Sequence, residues 1–378
     1  MATAADKTTT QNSPDGRANL LGYSESALVE FFAGLGQKPF RARQLLKWLH
    51  QRDVHEFAQM TDLSKALRTQ LADTAVIEFP ALLAEQESTD GTIKWLFESG
   101  AGQAVESVFI PEPGRGTLCI SSQVGCALDC AFCATGAQGF NRNLASHEII
   151  AQVSHANRSL PKRPNGEPAV TNVVFMGMGE PLANYRNLLP ALDLLISDHA
   201  YGLSRRRITV STSGLVPQIE KLGDDCNVSL AVSLHAPNDE LRNMLVPVNR
   251  IHPIAELLDA CWRYAAKRAN RFITFEYVML GGVNDQLKYA DELVELLRNR
   301  PAKVNLIPFN PFAGNDFRRS SAETIRQFQK RLRDRSIIAT TRKTRGDDID
   351  AACGQLAGKV SDRTRVRLGD KGRRTALA

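Results

Sequence analysis

Residues 117–133 read TLCISSQVGCALDCAFC: a short β-branched, apolar run, then Gly125 and three cysteines, Cys126, Cys130 and Cys133, spaced Cys-x-x-x-Cys-x-x-Cys. The run TLCIS (117–121) predicts a buried strand, and the cysteines fall on the loop that leaves it. Three thiols packed this densely in a reducing compartment point to metal rather than to core filling. Structural zinc wants four ligands, and neither a fourth cysteine nor a histidine lies at finger-like spacing. A cubic iron-sulfur cluster usually takes four cysteines. Three would leave one iron open to a small ligand, so the ligand count favours a cluster over zinc.

Outward from this stretch, β-branched runs alternate with helical patterns, which predicts βα units around a parallel sheet. After TLCIS the expected strands are TNVVFMG (171–177), RITVST (207–212), NVSLAVSL (227–234), RFITFEYVML (271–280) and KVNLIPF (303–309), with SIIATT (336–341) closing the series. Helical periodicity fills the gaps, for example over 147–157, 253–267, 286–298 and 322–335, and 161–168 reads as an exposed turn. Six units fit a partial (β/α) barrel or an open α/β sheet. Upstream, IKWLFE (93–98) and AVESVFI (104–110) predict an antiparallel pair, and three amphipathic patterns near 25–35, 40–52 and 64–72 predict a small helical domain. The middle pattern carries Leu45, Leu46, Trp48 and Leu49 on its apolar side and Lys38, Arg41, Arg43, Lys47 and Arg52 elsewhere, which suits packing and contact with nucleic acid together.

With 378 residues, 43% of them hydrophobic and 23% charged, the composition excludes global disorder and fibrous classes. No apolar run approaches a membrane span, and the polar N-terminus lacks a secretory pattern, so a cytoplasmic protein without a membrane is expected. Its seven cysteines then form no disulfide framework. The net charge of +6 is uneven: residues 318–378 carry +10 and everything before them −4. A basic end of this kind attracts polyphosphate backbones.

The cysteine spacing is that of the radical SAM superfamily, in which the open iron chelates S-adenosylmethionine (SAM). CALDCAFCATGAQGFNRNL, VVFMGMGEPLAN, STSG, SLHAPNDELR, NLIPFNPF and DDIDAACGQLA together resemble the RlmN-type dual-specificity 23S rRNA and tRNA adenine-C2 methyltransferases. The resemblance implies an α/β fold, a partial (β/α)6 radical SAM barrel with a small N-terminal helical domain. Along the chain it implies a disordered tail over 1–17, an RNA-binding helical domain over 18–90, a β extension over 91–116, the barrel over 117–345, and a C-terminal segment over 346–378 with a methyl-carrier cysteine and a basic tail.

Ligands in such folds sit beyond the carboxyl ends of the strands, where these blocks fall. Cys126, Cys130 and Cys133 are the expected ligands of a 4Fe-4S cluster. Met176, Gly179, Glu180, Ser211, Ser233, Leu234, His235 and Asn310 are the expected SAM contacts: glycines allow close backbone approach, Glu180 can accept from the cationic amine, and the hydroxyl, imidazole and amide groups suit ribose and adenine.

Carbon 2 of adenine is electron-poor and cannot attack a methyl cation equivalent directly. In the proteins this chain resembles, one SAM methylates a cysteine, here Cys353, and a second SAM yields a 5′-deoxyadenosyl radical that takes a hydrogen from that methyl. The carbon radical adds to adenine, and a second cysteine, here Cys119, releases the product through a transient disulfide with Cys353. Glu106 matches the base for the carbon-2 proton. The resemblance also implies two SAM per turnover, 23S rRNA and tRNA as partners, an electron donor such as flavodoxin, and a monomer. Taken singly, Cys119 reads as a small core residue, Cys353 as a loop thiol and Glu106 as a face residue; Cys226 and Cys261 read as packing residues. Two alternatives stand: a related enzyme that methylates carbon 8, and a non-catalytic zinc RNA-binding protein with His147 as fourth ligand.

Overall fold

The computed structural model describes residues 16–363 apart from Asn270. All but the last two residues of the expected 1–17 tail, and residues 364–378 of the basic C-terminal segment, lie outside the described residues.

The N-terminal domain runs from β1 (Ala18–Asn19) through α1 (Glu25–Gly34), α2 (Phe40–Leu46), a π turn over Lys47–Gln51 and α3 (Lys65–Thr74) to β2 (Ala75–Val76), which pairs in parallel with β1. Ser24 and Ser64 stop fraying at the starts of α1 and α3 by accepting from the Ala27 and Leu67 backbone N–H groups. Leu28, Phe32, Leu45, Leu46, Leu49, Leu67 and Leu71 are buried, as the helical period requires. The second pattern, read as one helix to residue 52, changes to a wider turn after Leu46.

Next come β3 (Leu82–Glu87), β4 (Ile93–Glu98), β5 (Ala104–Glu112) and β6 (Arg115–Cys119), and then a hairpin of β7 (Gln123–Gly125) and β8 (Phe140–Asn143) with α4 (Ala134–Ala137) between its strands. The barrel continues as α5 (Ser146–Ser159), β9 (Asn172–Phe175), α6 (Tyr185–Ile196), β10 (Ile208–Thr212), α7 (Val216–Asp225), β11 (Ser229–Ser233), α8 (Asp239–Leu245) and α9 (Ile254–Ala266). It ends with β12 (Ile273–Met279), α10 (Leu287–Leu297), β13 (Ala302–Pro308), α11 (Ala322–Asp334) and β14 (Ile338–Thr341).

One sheet has the order β14-β13-β12-β11-β10-β9-β6-β5-β4-β3. From β6 to β14 every pairing is parallel, each strand lying beside the next one along the barrel, while β5, β4 and β3 extend it antiparallel. All parallel strands therefore end on the same side, here termed the mouth, and begin at the opposite side, the base. Their cores are buried on both faces, with Val173, Phe175, Val210, Leu230, Val232, Phe275, Val304 and Leu306 at the centre.

The expected boundary at residue 90 moves: β3 pairs with β4 from Leu82↔Phe97 to Glu87↔Ile93 and so belongs to the sheet. All six of its residues are exposed, which removes the apolar alternation that would have marked it as a strand. Among the described residues, no helix is long and apolar enough to cross a membrane.

Candidate active site

The hairpin of β7 and β8 carries the cysteines to the mouth. Gly125 has φ +77, and a Cβ there would lie 2.0 Å from the Gly139 carbonyl, so only glycine lets the two strands close behind the loop. The Cys126 N–H donates to that same carbonyl at 2.7 Å, and the Ala131 N–H donates to Leu245 O at 3.0 Å. Arg142 on β8 anchors the hairpin to α5 through Glu148 at 2.7 Å.

Cys126, Cys130 and Cys133 line one cavity with Met176, Gly179, Glu180, Ser211, Ser233 and His235. Burial, with Cys130 alongside, pushes the Cys126 thiol well up; burial and Cys133 push Cys130 up to about 12; burial raises Cys133. Glu180 is buried, its carboxylate accepting from the Ser213 N–H at 2.8 Å and the Leu182 N–H at 3.1 Å, and burial pushes it up to about 7. Gly179 turns the chain beside it, where a Cβ would meet Gln123 Cβ at 2.4 Å.

Two expected contacts sit elsewhere. Leu234, between Ser233 and His235, points the other way, and its side chain is fully buried in the core. Asn310 faces an adjoining cavity, lined by Cys119, Arg342, Asn310 and Cys353 among others, and its Nδ2 donates to Cys353 O at 3.1 Å. The two cavities share Cys133, Met176, Arg342 and Cys353, so the thiol pair opens onto the cysteine loop.

Cys119, at the end of β6, is buried, and Cys353 is half-buried; both are free thiols. Burial, then the neighbouring Cys353, pushes Cys119 up to about 12. Cys353, with Glu276 and Cys119 after it, holds the half-buried Arg342 guanidinium above its usual value against desolvation. The segment bearing Cys353 crosses the mouth: Gly354 O accepts from Ala134 N–H at 2.8 Å, Thr135 Oγ1 donates to Leu356 O at 2.5 Å, and Ala357 N–H donates to Glu106 Oε2 at 2.9 Å. Glu106 also faces Lys94 at 3.4 Å and lines a neighbouring cavity with Gln355 and Ala357 rather than that of the two thiols.

The family model described as "Ribosomal RNA large subunit methyltransferase N-terminal domain" matches residues 18–77, and that of the radical SAM superfamily matches residues 120–297. A radical SAM methyltransferase of solved structure from Sphaerobacter thermophilus is 46% identical, with a TM-score of 0.83 over 89% of this chain and 98% of that chain. This chain belongs to the RlmN-type radical SAM methyltransferases. More distant likenesses include a domain of pyruvate-formate lyase-activating enzyme from Bacteroides vulgatus (21% identity, TM-score 0.36, 46% of this chain and 99% of that chain). Another is SuiB from Streptococcus suis bound to S-adenosylmethionine (11% identity, TM-score 0.43, 64% and 57%).

Membership of the radical SAM superfamily implies a 4Fe-4S cluster and SAM, and the donor set of this methyltransferase fits them. Three thiols line one cavity together with Glu180, Ser211, Ser233 and His235, a soft donor set beside polar groups. His147, the fourth ligand of the zinc alternative, packs instead against Gly22 of the N-terminal domain, with Glu148, Arg142 and Glu78 as its charged neighbours. Cys226 and Cys261 are buried packing residues of the main core.

Two arginines of the RlmN-type site carry no role in the sequence reading. Arg242, fully buried, donates to Leu234 O, Ser233 O, Ser213 O and Asn249 Oδ1 at 2.6–3.1 Å, tying the ends of β10 and β11 together. Arg342 follows β14 directly. Applying the rule of carboxyl strand ends to that seventh parallel strand would have found it.

Proposed function

We propose that this methyltransferase acts on carbon 2 of an adenosine in 23S rRNA and in tRNA, with Cys353 as methyl carrier and Cys119 as the thiol that releases the product. One observation carries the reading: Cys119 and Cys353 line the same cavity, which is continuous with that of the cysteine loop. Cys126, Cys130 and Cys133 would hold the cluster, and Met176, Gly179, Glu180, Ser211, Ser233 and His235 would surround SAM, of which two are used per turnover. When bound, cluster and SAM supply a methyl group and a one-electron cleavage that yields a 5′-deoxyadenosyl radical.

The chain's own residues do the rest. Cys353 accepts the methyl group and is held over the site through Asn310 on its carbonyl. Burial opposes the Cys119 thiolate, and Arg342 is the neighbouring charge that favours it. The Cys119 sulfur bonds to the Cys353 sulfur as the sulfur–carbon bond to RNA breaks. That electron pair goes to the departing carbon, which takes up a proton, and the disulfide is reduced afterwards by an external thiol or flavodoxin-like donor. Glu106 receives the carbon-2 proton, and the one electron left on the ring would be given up to the one-electron carrier that started the cleavage; Glu106 shares a face of β5 with Val108 and Ile110, which line the thiol cavity. The target base must leave its stack to reach this depth.

For RNA contact, α2 supports the expectation: Arg41 stacks on exposed Phe40 at 4.7 Å. The basic surplus around α11 supports it less. Arg326 pairs with Glu323, Lys330 with Asp334 and Arg331 with Asp291, and Arg342 points into the site.

Anaerobic incubation with adenosine-containing RNA and methyl-deuterated SAM tests the reading. Two of the three deuterons are expected in the product, at carbon 2 by mass spectrometry. Cys353→Ala should abolish transfer, and Cys119→Ala should leave protein covalently attached to RNA. Free methylated RNA in normal yield from Cys119→Ala, or a methyl at carbon 8, would overturn it.

A further inference from the structure

The base of the barrel carries a feature that the methyl-transfer site does not use. Where β12 and β13 begin, a cleft of about 420 Å³ is lined by Trp262, Arg268, Arg271, Phe272 and Arg300. Phe272 is exposed, the Arg300 guanidinium lies over the Trp262 ring at 5.6 Å, and the Lys303 ammonium lies over the Phe272 ring at 4.9 Å. Arg271 is fixed from behind by donating to Asn227 O at 2.8 Å and Ser229 Oγ at 3.3 Å. Arg206, on the turn entering β10, belongs to the same cluster of charge. Desolvation first, and then repulsion from Arg268, Arg206 and Arg205, lower Arg271 from its usual value.

Several other bases around this end are neutralised: Arg263 pairs with Glu220, Lys267 with Asp224 and Arg298 with Glu295, and Asp193 offsets Arg205. Among the described residues, Arg206, Arg268, Arg271 and Arg300 have no carboxylate within the 4.0 Å of an ion pair. Like charges crowded beside two partly exposed aromatic rings repel in the free protein. They gain when a polyanion displaces their counterions. Guanidinium groups and aromatic faces together match phosphates and an unstacked base.

We propose that this cleft is a second RNA contact, which takes backbone phosphates on Arg206, Arg268 and Arg300 and a base against Trp262 or Phe272. The inference rests on RNA being the substrate. The seven residues of β12 put mouth and base roughly 20 Å apart. Only an RNA large enough to extend past the target adenosine and around the barrel can occupy both, so the contact selects folded, extended RNA over a short hairpin.

The test uses the full chain, an intact tRNA or long rRNA fragment, and a short hairpin carrying the same target adenosine, with affinity followed by fluorescence anisotropy across a salt series. In Arg206→Glu/Arg268→Glu, two exposed side chains change at no cost in internal hydrogen bonds. The long RNA should bind about tenfold more weakly, with a salt slope smaller by about two, while hairpin affinity and the rate at saturating RNA stay unchanged. The Arg206→Lys/Arg268→Lys variant should keep most of the affinity, and Arg300→Ala should move the long RNA alone. Unchanged affinity and slope for the long RNA, or equal weakening of both RNAs, would overturn the proposal. A wild-type protein that binds long RNA with the steeper slope but methylates neither RNA would instead overturn the proposed function.

Discussion

The two ends of the barrel treat charge and backbone in opposite ways. At the mouth, Glu180, Glu276, Arg242 and Arg342 are all inside the fold, each with a partner of opposite sign or a set of backbone groups to bond. At the base, Arg206, Arg268 and Arg300 stand exposed, with no carboxylate in ion-pair range among the described residues. A Cβ on Gly125, Gly177 or Gly179 at the mouth would lie within 2.7 Å of another atom, whereas Gly202 at the base has open space around it. A mouth whose groups are fixed before any ligand arrives suits chemistry on a small, defined target. A base whose charge has no internal partner suits a large polyanion that brings its own.

The largest effect expected from this contrast is at Gly125. Both Gly125 and Gly202 have positive φ, +77 and +62, so alanine carries the left-handed penalty of about 1–2 kcal/mol at either position. At Gly125 the added Cβ also meets backbone, the Gly139 carbonyl that accepts from Cys126 N–H, so the cysteine loop must move. Gly125→Ala should therefore lose most of its iron on reconstitution, by iron and sulfide assay, while Gly202→Ala keeps its iron and drops only a few degrees in melting temperature. Full iron content in Gly125→Ala would break the contrast.

Legibility in the sequence followed the same divide. The parallel strands are apolar and β-branched along their length, and all six expected barrel strands, with the seventh expected at 336–341, begin and end within two residues of those found. Cys126, Cys130, Cys133, Glu180, Ser211 and Ser233 were visible because spacing and strand ends mark them. Missed features lacked a local signal. β3 is exposed on both faces, the hairpin strands β7 and β8 are too short for periodicity, and Arg342 looks like one more base in a basic stretch until its place in the wall of both cavities separates it. Running charge along the chain favoured the basic end over 318–378 as an RNA contact, but ion pairs form across space. Among the described residues, Arg206, Arg268, Arg271 and Arg300, none with a carboxylate in ion-pair range, come together instead from three separate turns at the base.

A second, intermediate effect separates the ends by pH. The N-terminal domain meets the base through His50, whose ring faces Tyr201 at 5.1 Å, and through Gln51 Nε2, which donates to Asp198 O at 2.7 Å. Burial, then His55, lowers His50 to about 3; burial, then Arg158, lowers His55 to about 4. Both rings are therefore neutral in the fold, while in the unfolded chain they take up protons below about 6.5. Stability from this pair is complete above that value and is lost as pH falls toward 4, with a slope of up to about 1.4 kcal/mol per pH unit for each ring. Asp53, raised by burial, acts in the opposite sense at the acid end of this window. Between pH 7 and 4.5, hydrogen exchange should accelerate first at residues 46–52 and 197–203, before the cysteine loop. His50→Asn should flatten the pH dependence of the melting temperature; an unchanged slope would count against the assignment.

The smallest effect belongs to Asn310, and it tells two jobs apart. Its Nδ2 donates to Cys353 O, while its Oδ1 accepts from Arg319 at 2.7 Å. Asn310→Ala removes both bonds, worth about 1 kcal/mol each, but leaves the segment tied through Ala134, Thr135 and Gln355. The fold should survive, with single-turnover methyl transfer slowed roughly fivefold and RNA affinity unchanged. Asn310→Asp keeps the acceptor for Arg319 and loses the donor to Cys353. If Asn310 works by holding the methyl-carrier segment over the site, Asp must be as slow as Ala. If its role is only to anchor Arg319, Asp must match the wild type, and the contact with Cys353 carries no catalytic weight.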